Sequence, residues 1–124
     1  MLPSSFDVAA DDMRTLVDLG FIALSAGLLR QAGTIFDGVV AARPEGEAGH
    51  IGLALVSLAQ GRTEDAVRRL RARPPSDAVL TFLGMALARM GERDDARAAL
   101  RAVVETPGGS PHAATAAALL AELA

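Results

Sequence analysis

The chain has 124 residues, of which 51% are hydrophobic and 3% aromatic, and its formal net charge is −3 at pH 7. It has no cysteine, and all 12 of its cationic side chains are arginine, which excludes disulfides, thiolate catalysis and lysine Schiff bases. The negative charge and the scarcity of aromatic rings disfavour nucleic acids and anionic membranes as partners, and the apolar content, rich in Ala and Leu, favours helices.

Helix-period patterning with glycine and proline punctuation predicts seven helices along the chain. Their expected ranges are 11–26, 28–42, 47–60, 63–72, 77–90, 93–105 and 111–123. Residues 1–10 form a leader that is free to extend the first helix. Pro74 and Pro75 end the fourth helix about one turn early. Ser110 is expected to cap the last helix, with Pro111 at its first helical position.

One short pattern occurs three times. Each copy has a glycine, four mostly polar residues and an alanine, and a large apolar residue follows four positions later. The alanines are 34 and then 30 residues apart, and they are Ala32, Ala66 and Ala96. We expect the glycines to end a helix in the left-handed conformation. They are Gly27, Gly61 and Gly91.

A small residue in the preceding helix accompanies each copy and allows the two helices of a hairpin to approach closely. These small residues are Gly20, Ala54 and Gly84. The large residue of each copy is expected to fill the space between successive repeats. These large residues are Phe36, Leu70 and Leu100.

The pattern resembles the tetratricopeptide repeat over residues 13–107, although the Trp and Tyr usual in the family's first helix are missing. The resemblance implies an all-α fold, a right-handed α-solenoid of three helix hairpins within one domain, 1–124. The repeats are expected at about 13–46, 47–76 and 77–107, with 111–123 as a C-terminal capping helix.

The resemblance also implies a concave groove lined by the first helix of each repeat. The candidate protein-binding residues at these positions are Arg14, Val17, Phe21, Leu24, Ile51, Leu55, Leu58, Thr81, Met85 and Arg89. Because the lining is mostly apolar, we expect it to bind an amphipathic helix or an extended apolar segment of another protein. The two arginines lie at opposite ends, which disfavours a clamp for a terminal carboxylate.

Three other occupants of the groove stay open at this point. The leader carries Leu2, Phe6 and Val8, which could cover it. The C-terminal helix could do the same. A second copy of the chain, in a homodimer, is the third.

Other residue types give no catalytic or metal-binding pattern. His50 and His112 have no ligand partners at suitable spacing, so we expect neither metal nor cofactor. The acid pairs, Asp11-Asp12 and Asp94-Asp95, lie where helices begin, a position that favours negative charge. The arginine run from Arg68 to Arg73 is expected to be a solvated face or a contact for an acidic partner. We therefore expect a binding protein and no enzyme.

The short length, degenerate repeats and apolar groove resemble the small tetratricopeptide-like chaperones of bacterial type III secretion. The resemblance implies a cytoplasmic, virulence-associated protein that holds an aggregation-prone needle or translocator subunit before export. The acidic N-terminus, whose first cation is Arg14, agrees with the expected absence of a secretory signal. The alternative is a scaffold or adaptor of the same fold in another envelope or pilus assembly.

Overall fold

The computed structural model describes residues 9–124, and this part of the chain contains seven helices and no strand. The helices are α1 (Ala10–Ser25), α2 (Leu29–Ala42), α3 (Glu47–Ala59), α4 (Thr63–Arg71), α5 (Asp77–Arg89), α6 (Arg93–Val104) and α7 (Ala113–Glu122). All seven predicted helices are thus confirmed, with shifts of one or two residues at most ends. Of the leader predicted at residues 1–10, Ala10 belongs to α1 and Ala9 is its extended N-cap, with φ −61° and ψ 152°, whereas residues 1–8 lie outside the described residues.

The glycine and proline signals act as expected. Gly27, Gly61 and Gly91 have φ values of 77°, 80° and 83°, and they directly follow the C-cap residues of α1, α3 and α5. The α4 helix has 9 residues against 14 in α2, because Pro74 and Pro75 prevent another turn.

The chain divides into two compact units, Met1–Gln60 with α1 to α3 and Gly61–Ala124 with α4 to α7. We call them unit 1 and unit 2. The boundary falls between α3 and α4, inside the second predicted repeat (47–76). One domain of three repeats therefore stays a prediction, and so does the right-handed course of the solenoid.

The core of unit 1 is built around Phe36, whose side chain is fully buried. A methyl group at Gly20 of α1 would come within 2.6 Å of the Phe36 ring, and one at Gly52 of α3 within 2.3 Å. The ring of Phe21 packs edge-on against Phe36, with centroids 5.0 Å apart and an angle of 67° between planes. One ring on α2 thus fills space that glycines leave on α1 and α3.

Unit 2 repeats the arrangement with an aliphatic residue. Leu100 of α6 is fully buried, and a methyl group at Gly84 of α5 would come within 2.6 Å of it. The N-terminus of α5 is capped by Ser76, whose hydroxyl accepts the Val79 N–H at 3.2 Å. The Thr106 hydroxyl, just after α6, lies 2.9 Å from the Asp77 carboxylate and ties the two helices together where α5 begins.

The start of α7 differs from the prediction, because Ser110 is not its N-cap. The helix begins at Ala113, its N-cap residue is His112, and the Ser110 hydroxyl accepts the His112 N–H at 3.1 Å. The Ala113 N–H bonds the Ser110 carbonyl at 3.1 Å, so Ser110 stabilises a turn through Pro111. Pro111 is consequently a turn residue and not the first residue of the helix.

Candidate protein-binding surfaces

In unit 1 the predicted apolar positions of α1 form one continuous face. Val17, Phe21 and Leu24 are three and four residues apart, which places them on the same side of a helix with 3.6 residues per turn. All three side chains are half-buried and keep part of their surface in solvent, and Arg14 beside them is exposed. We call Val17, Phe21 and Leu24 the α1 face.

The three α3 positions divide by depth. Leu55 is half-buried, whereas Ile51 and Leu58 are 5% and 6% exposed and belong to the core. Their burial leaves little surface for another protein, so Leu55 is the α3 position that can add to the α1 face. A contact role for Ile51 and Leu58 stays a prediction.

The α5 positions divide in the same way within unit 2. Thr81 is 1% exposed, and its hydroxyl donates to the Asp77 carbonyl at 2.7 Å, which satisfies the buried polar group internally. Met85 is half-buried and Arg89 is exposed.

Met85 and Arg89 line a pocket of about 260 Å³ formed by α5 and α7. We call it the α5–α7 pocket, and its lining residues are Met85, Ala88, Arg89, Leu119, Glu122 and Leu123. The sequence left the C-terminal helix open as an occupant of the groove but did not single out Leu119 and Leu123, which are spaced four residues apart, as one apolar face requires.

Unit 1 also exposes apolar side chains that the groove prediction left out. Ile22 is 64% exposed, Leu28 49% and Leu19 46%. Ile22 and Phe21 line a shallow depression of about 680 Å³ at the C-terminal end of α1. On the helical wheel Ile22 is about 140° from Val17, so it belongs to a different side of α1.

The structure bears differently on the three possible occupants of the predicted groove. Leu2, Phe6 and Val8 lie outside the described residues. The C-terminal helix stands beside Met85 and Arg89, and thus borders the α5 part of the predicted surface within unit 2. A second copy of the chain stays a prediction.

The remaining polar candidates make local contacts. His50 Nε2 lies 2.9 Å from the Pro44 carbonyl oxygen, and Arg68 pairs with Asp65 at 3.0 Å. Within residues 9–124, no cluster of three or more His, Asp or Glu side chains is arranged to hold a metal ion. None of the helices in that range has the length and apolar character needed to cross a bilayer.

No protein-family model and no curated protein matches the sequence. Solved structures match it closely in fold. The type III secretion translocator chaperone SycD of Yersinia enterocolitica superposes with a TM-score of 0.77 and 16% identity, covering 92% of this chain and 91% of that chain. PcrH of Pseudomonas aeruginosa gives 0.75 and 19%, with 98% of both chains covered.

The Sgt2 tetratricopeptide domain of Aspergillus fumigatus gives a TM-score of 0.76 and 19% identity, covering 98% of this chain and 82% of that chain. SycD has also been solved with a peptide of the translocator YopD, and PcrH with the chaperone-binding region of PopB. At these identities the likeness establishes the fold, so the resemblance expected from the sequence is confirmed. The chain has the all-α, tetratricopeptide-like architecture that these chaperones share.

Proposed function

We propose that this chain is a type III secretion chaperone that binds a secreted translocator subunit in the cytoplasm and prevents its aggregation before export. One observation carries the proposal: the fold coincides with those of SycD and PcrH over nine-tenths or more of each chain. Both of those proteins have been solved with segments of other proteins bound. The proposal assigns no catalytic step to the chain.

Unit 1 supplies the chemistry for such binding. The α1 face and Leu55 are apolar and remain partly in solvent, so an apolar client segment would remove them from water. Complete burial of a large apolar side chain contributes roughly 1.5–3 kcal/mol, and half-buried side chains contribute part of that. A client segment sheltered in this way cannot use the same apolar surface to associate with other copies of itself.

The fold alone also supports a second candidate, an adaptor in another assembly. The specific observation is that the Sgt2 tetratricopeptide domain matches with a TM-score of 0.76, which lies between those of SycD and PcrH, 0.77 and 0.75. The identity of the partner separates the two functions, since a chaperone binds an aggregation-prone exported subunit and an adaptor binds a stable component.

The deciding experiment therefore begins with the partner. Tagged full chain is purified from its native cell, and co-eluting proteins are identified by mass spectrometry. The principal partner is then produced alone, and its aggregation is followed by light scattering with and without the chain. We expect an exported subunit that stays monomeric only when the chain is present. A partner that is equally monodisperse alone would contradict the chaperone function and favour the adaptor.

The contact surface is tested with two matched substitutions in unit 1. Leu55→Glu places a charge at a half-buried apolar position of α3, and we expect it to abolish capture of the client while helicity is retained. Leu28→Glu makes the same chemical change at an exposed position before α2, where a negative charge is favourable, and should leave capture unchanged. Full binding by a folded Leu55→Glu protein would overturn the assignment of this surface.

A further inference from the structure

We infer that the α5–α7 pocket of unit 2 is a second client contact, which takes one leucine-sized side chain flanked by an acidic and a basic residue. The inference rests on the proposed function, because the ligand is a segment of the client. It also assigns a role to Arg93 and Arg97, which hold α7 in the position that forms the pocket.

The pocket is suited in size and chemistry to one aliphatic side chain. Its volume is about 260 Å³, and Met85, Leu119 and Leu123 provide its apolar surface. A methionine wall can adapt to side chains of different shape, because the thioether chain has several freely rotating bonds. A longer apolar segment would not fit there, so the expected anchor is a single residue.

The rim of the pocket carries two opposite charges, and neither has a partner among the described residues. Arg89 and Glu122 are exposed, and neither makes a hydrogen bond or ion pair within residues 9–124. A client carboxylate near Arg89 and a client cation near Glu122 would complement the rim. Such charges orient a partner and penalise a segment with the reversed order.

Two arginines fix the helix that forms one wall. Arg93 and Arg97 are one turn apart on α6, and each donates from Nη2 to the carbonyl oxygen of Leu123 at the end of α7. A carbonyl oxygen has two lone pairs, and cations at a helix C-terminus are favourable, so both bonds form together. Leu123 is itself a pocket residue, and the arginine pair therefore positions the pocket wall directly.

The test uses the full chain labelled with ¹³C at the methionine methyl groups. Ten-residue Gly/Ser peptides serve as probes, with a central leucine between aspartate and lysine, and with glycine in place of leucine as the control. They are titrated up to roughly 50 mM, because one buried leucine gives a Kd only on the order of 10 mM. Met85→Leu identifies the Met85 signal, and Met90, which lies outside the pocket, reports unspecific effects.

We expect the leucine peptide to shift the Met85 methyl signal saturably, the glycine peptide to leave it unchanged, and Met90 to stay constant with both. No shift, or an equal shift with both peptides, would overturn the inference. Reversing the two peptide charges should weaken binding several-fold, and Arg89→Glu with Glu122→Arg should restore it. Failure of this restoration would overturn the assignment of the rim charges.

The positioning role has its own variants. Arg93→Gln with Arg97→Gln should weaken the peptide about tenfold, because two charge-assisted hydrogen bonds to Leu123 are lost. Arg93→Lys with Arg97→Lys should recover part of the affinity, because lysine keeps a cationic donor for the Leu123 carbonyl oxygen. No such recovery is expected if the glutamine variant binds weakly only because the fold is damaged. Should the glutamine variant lose helicity by circular dichroism, Leu119→Ala, which leaves both arginines intact, tests the same pocket. Unchanged affinity in the folded glutamine variant, or in Leu119→Ala, contradicts the inference.

These outcomes are separable from the proposed function. If unit 1 captures the client but the Met85 signal does not respond to the leucine peptide, only the inference about the α5–α7 pocket is overturned. If the Met85 signal responds to the leucine peptide but the chain captures no exported subunit, only the proposed chaperone function is overturned.

Discussion

An alanine in place of glycine is expected to affect stability in opposite directions at two positions of unit 1. At Gly52 an added methyl group would lie 2.3 Å from Cδ1 and 2.5 Å from Cγ of Phe36. Phe36 is fully buried, and Gly20 of α1 also lies against its ring, at Cζ and Cε1, so the ring has little room to shift. At Gly38, on the exposed side of α2, nothing lies within 4 Å of the same methyl group.

We expect Gly52→Ala to lower the free energy of unfolding by about 1–3 kcal/mol through overpacking. Gly38→Ala should raise it by about 0.5–1 kcal/mol, because alanine loses less backbone entropy in a helix. Urea denaturation followed by circular dichroism measures both. Equal effects of the two substitutions would show that Phe36 is not confined as described.

The sequence predicted part of this packing. Counting along the repeat identified Gly20 and Gly84 as the small residues opposite Phe36 and Leu100, and the structure places them there. Gly52 escaped the pattern, because its counterparts one repeat away are Asp18 and Phe82. A glycine is needed at position 52 because the phenyl ring of Phe36 is large. A repeat pattern shows only the positions that the repeats share, so it does not reveal a glycine that one repeat alone requires.

At the scale of the element, helix boundaries were predictable, whereas the N-cap residues were not. Glycine and proline fix where helices stop, because their backbone restrictions act locally. Two serines lie before helices: Ser76 directly precedes α5, whereas Ser110 is three residues before α7, and His112 takes the N-cap position there. Ser76 is extended, with φ −68° and ψ 164°, as an N-cap needs, whereas the residue before α7 has φ −97° and ψ −1°.

Ser76→Ala removes the hydroxyl that accepts the Val79 N–H at the start of α5. We expect the free energy of unfolding to fall by about 0.5–2 kcal/mol, the usual effect of losing an N-cap. Ser25→Ala is the matched control, since Ser25 is exposed in the last turn of α1. Chemical denaturation of both variants checks the difference, and equal stability would contradict the capping role.

At the scale of the molecule, the sequence indicated on which face of a helix a side chain lies, but not how deeply that side chain is buried. Val17, Ile51 and Thr81 occupy equivalent positions in the repeat, yet Val17 is half-buried while the other two are buried. A helical wheel tells which way a side chain points, but not how many helices surround it. The helices that carry the predicted apolar positions could therefore be named from the sequence, whereas the accessible part of those positions could not, and their role in binding stays a prediction.

Burial also predicts an uneven distribution of stability in unit 2. Within its ten residues α7 buries only Ala116, whereas α5 buries five residues and α6 four. Local opening is easiest where little apolar surface is buried, so amide hydrogens of α7 should exchange well before those of α5 and α6. Hydrogen exchange followed by mass spectrometry measures this. Equal protection of the three helices would show that α7 opens only with the whole unit.

The shared contact of Phe36 with Gly20 and Gly52 has a consequence for how this sequence can diverge. No one of the three positions is free to change alone, since a larger residue at either glycine requires a smaller one at position 36. Among descendants of this chain, we expect the three sites to be inherited as a set or exchanged in concert.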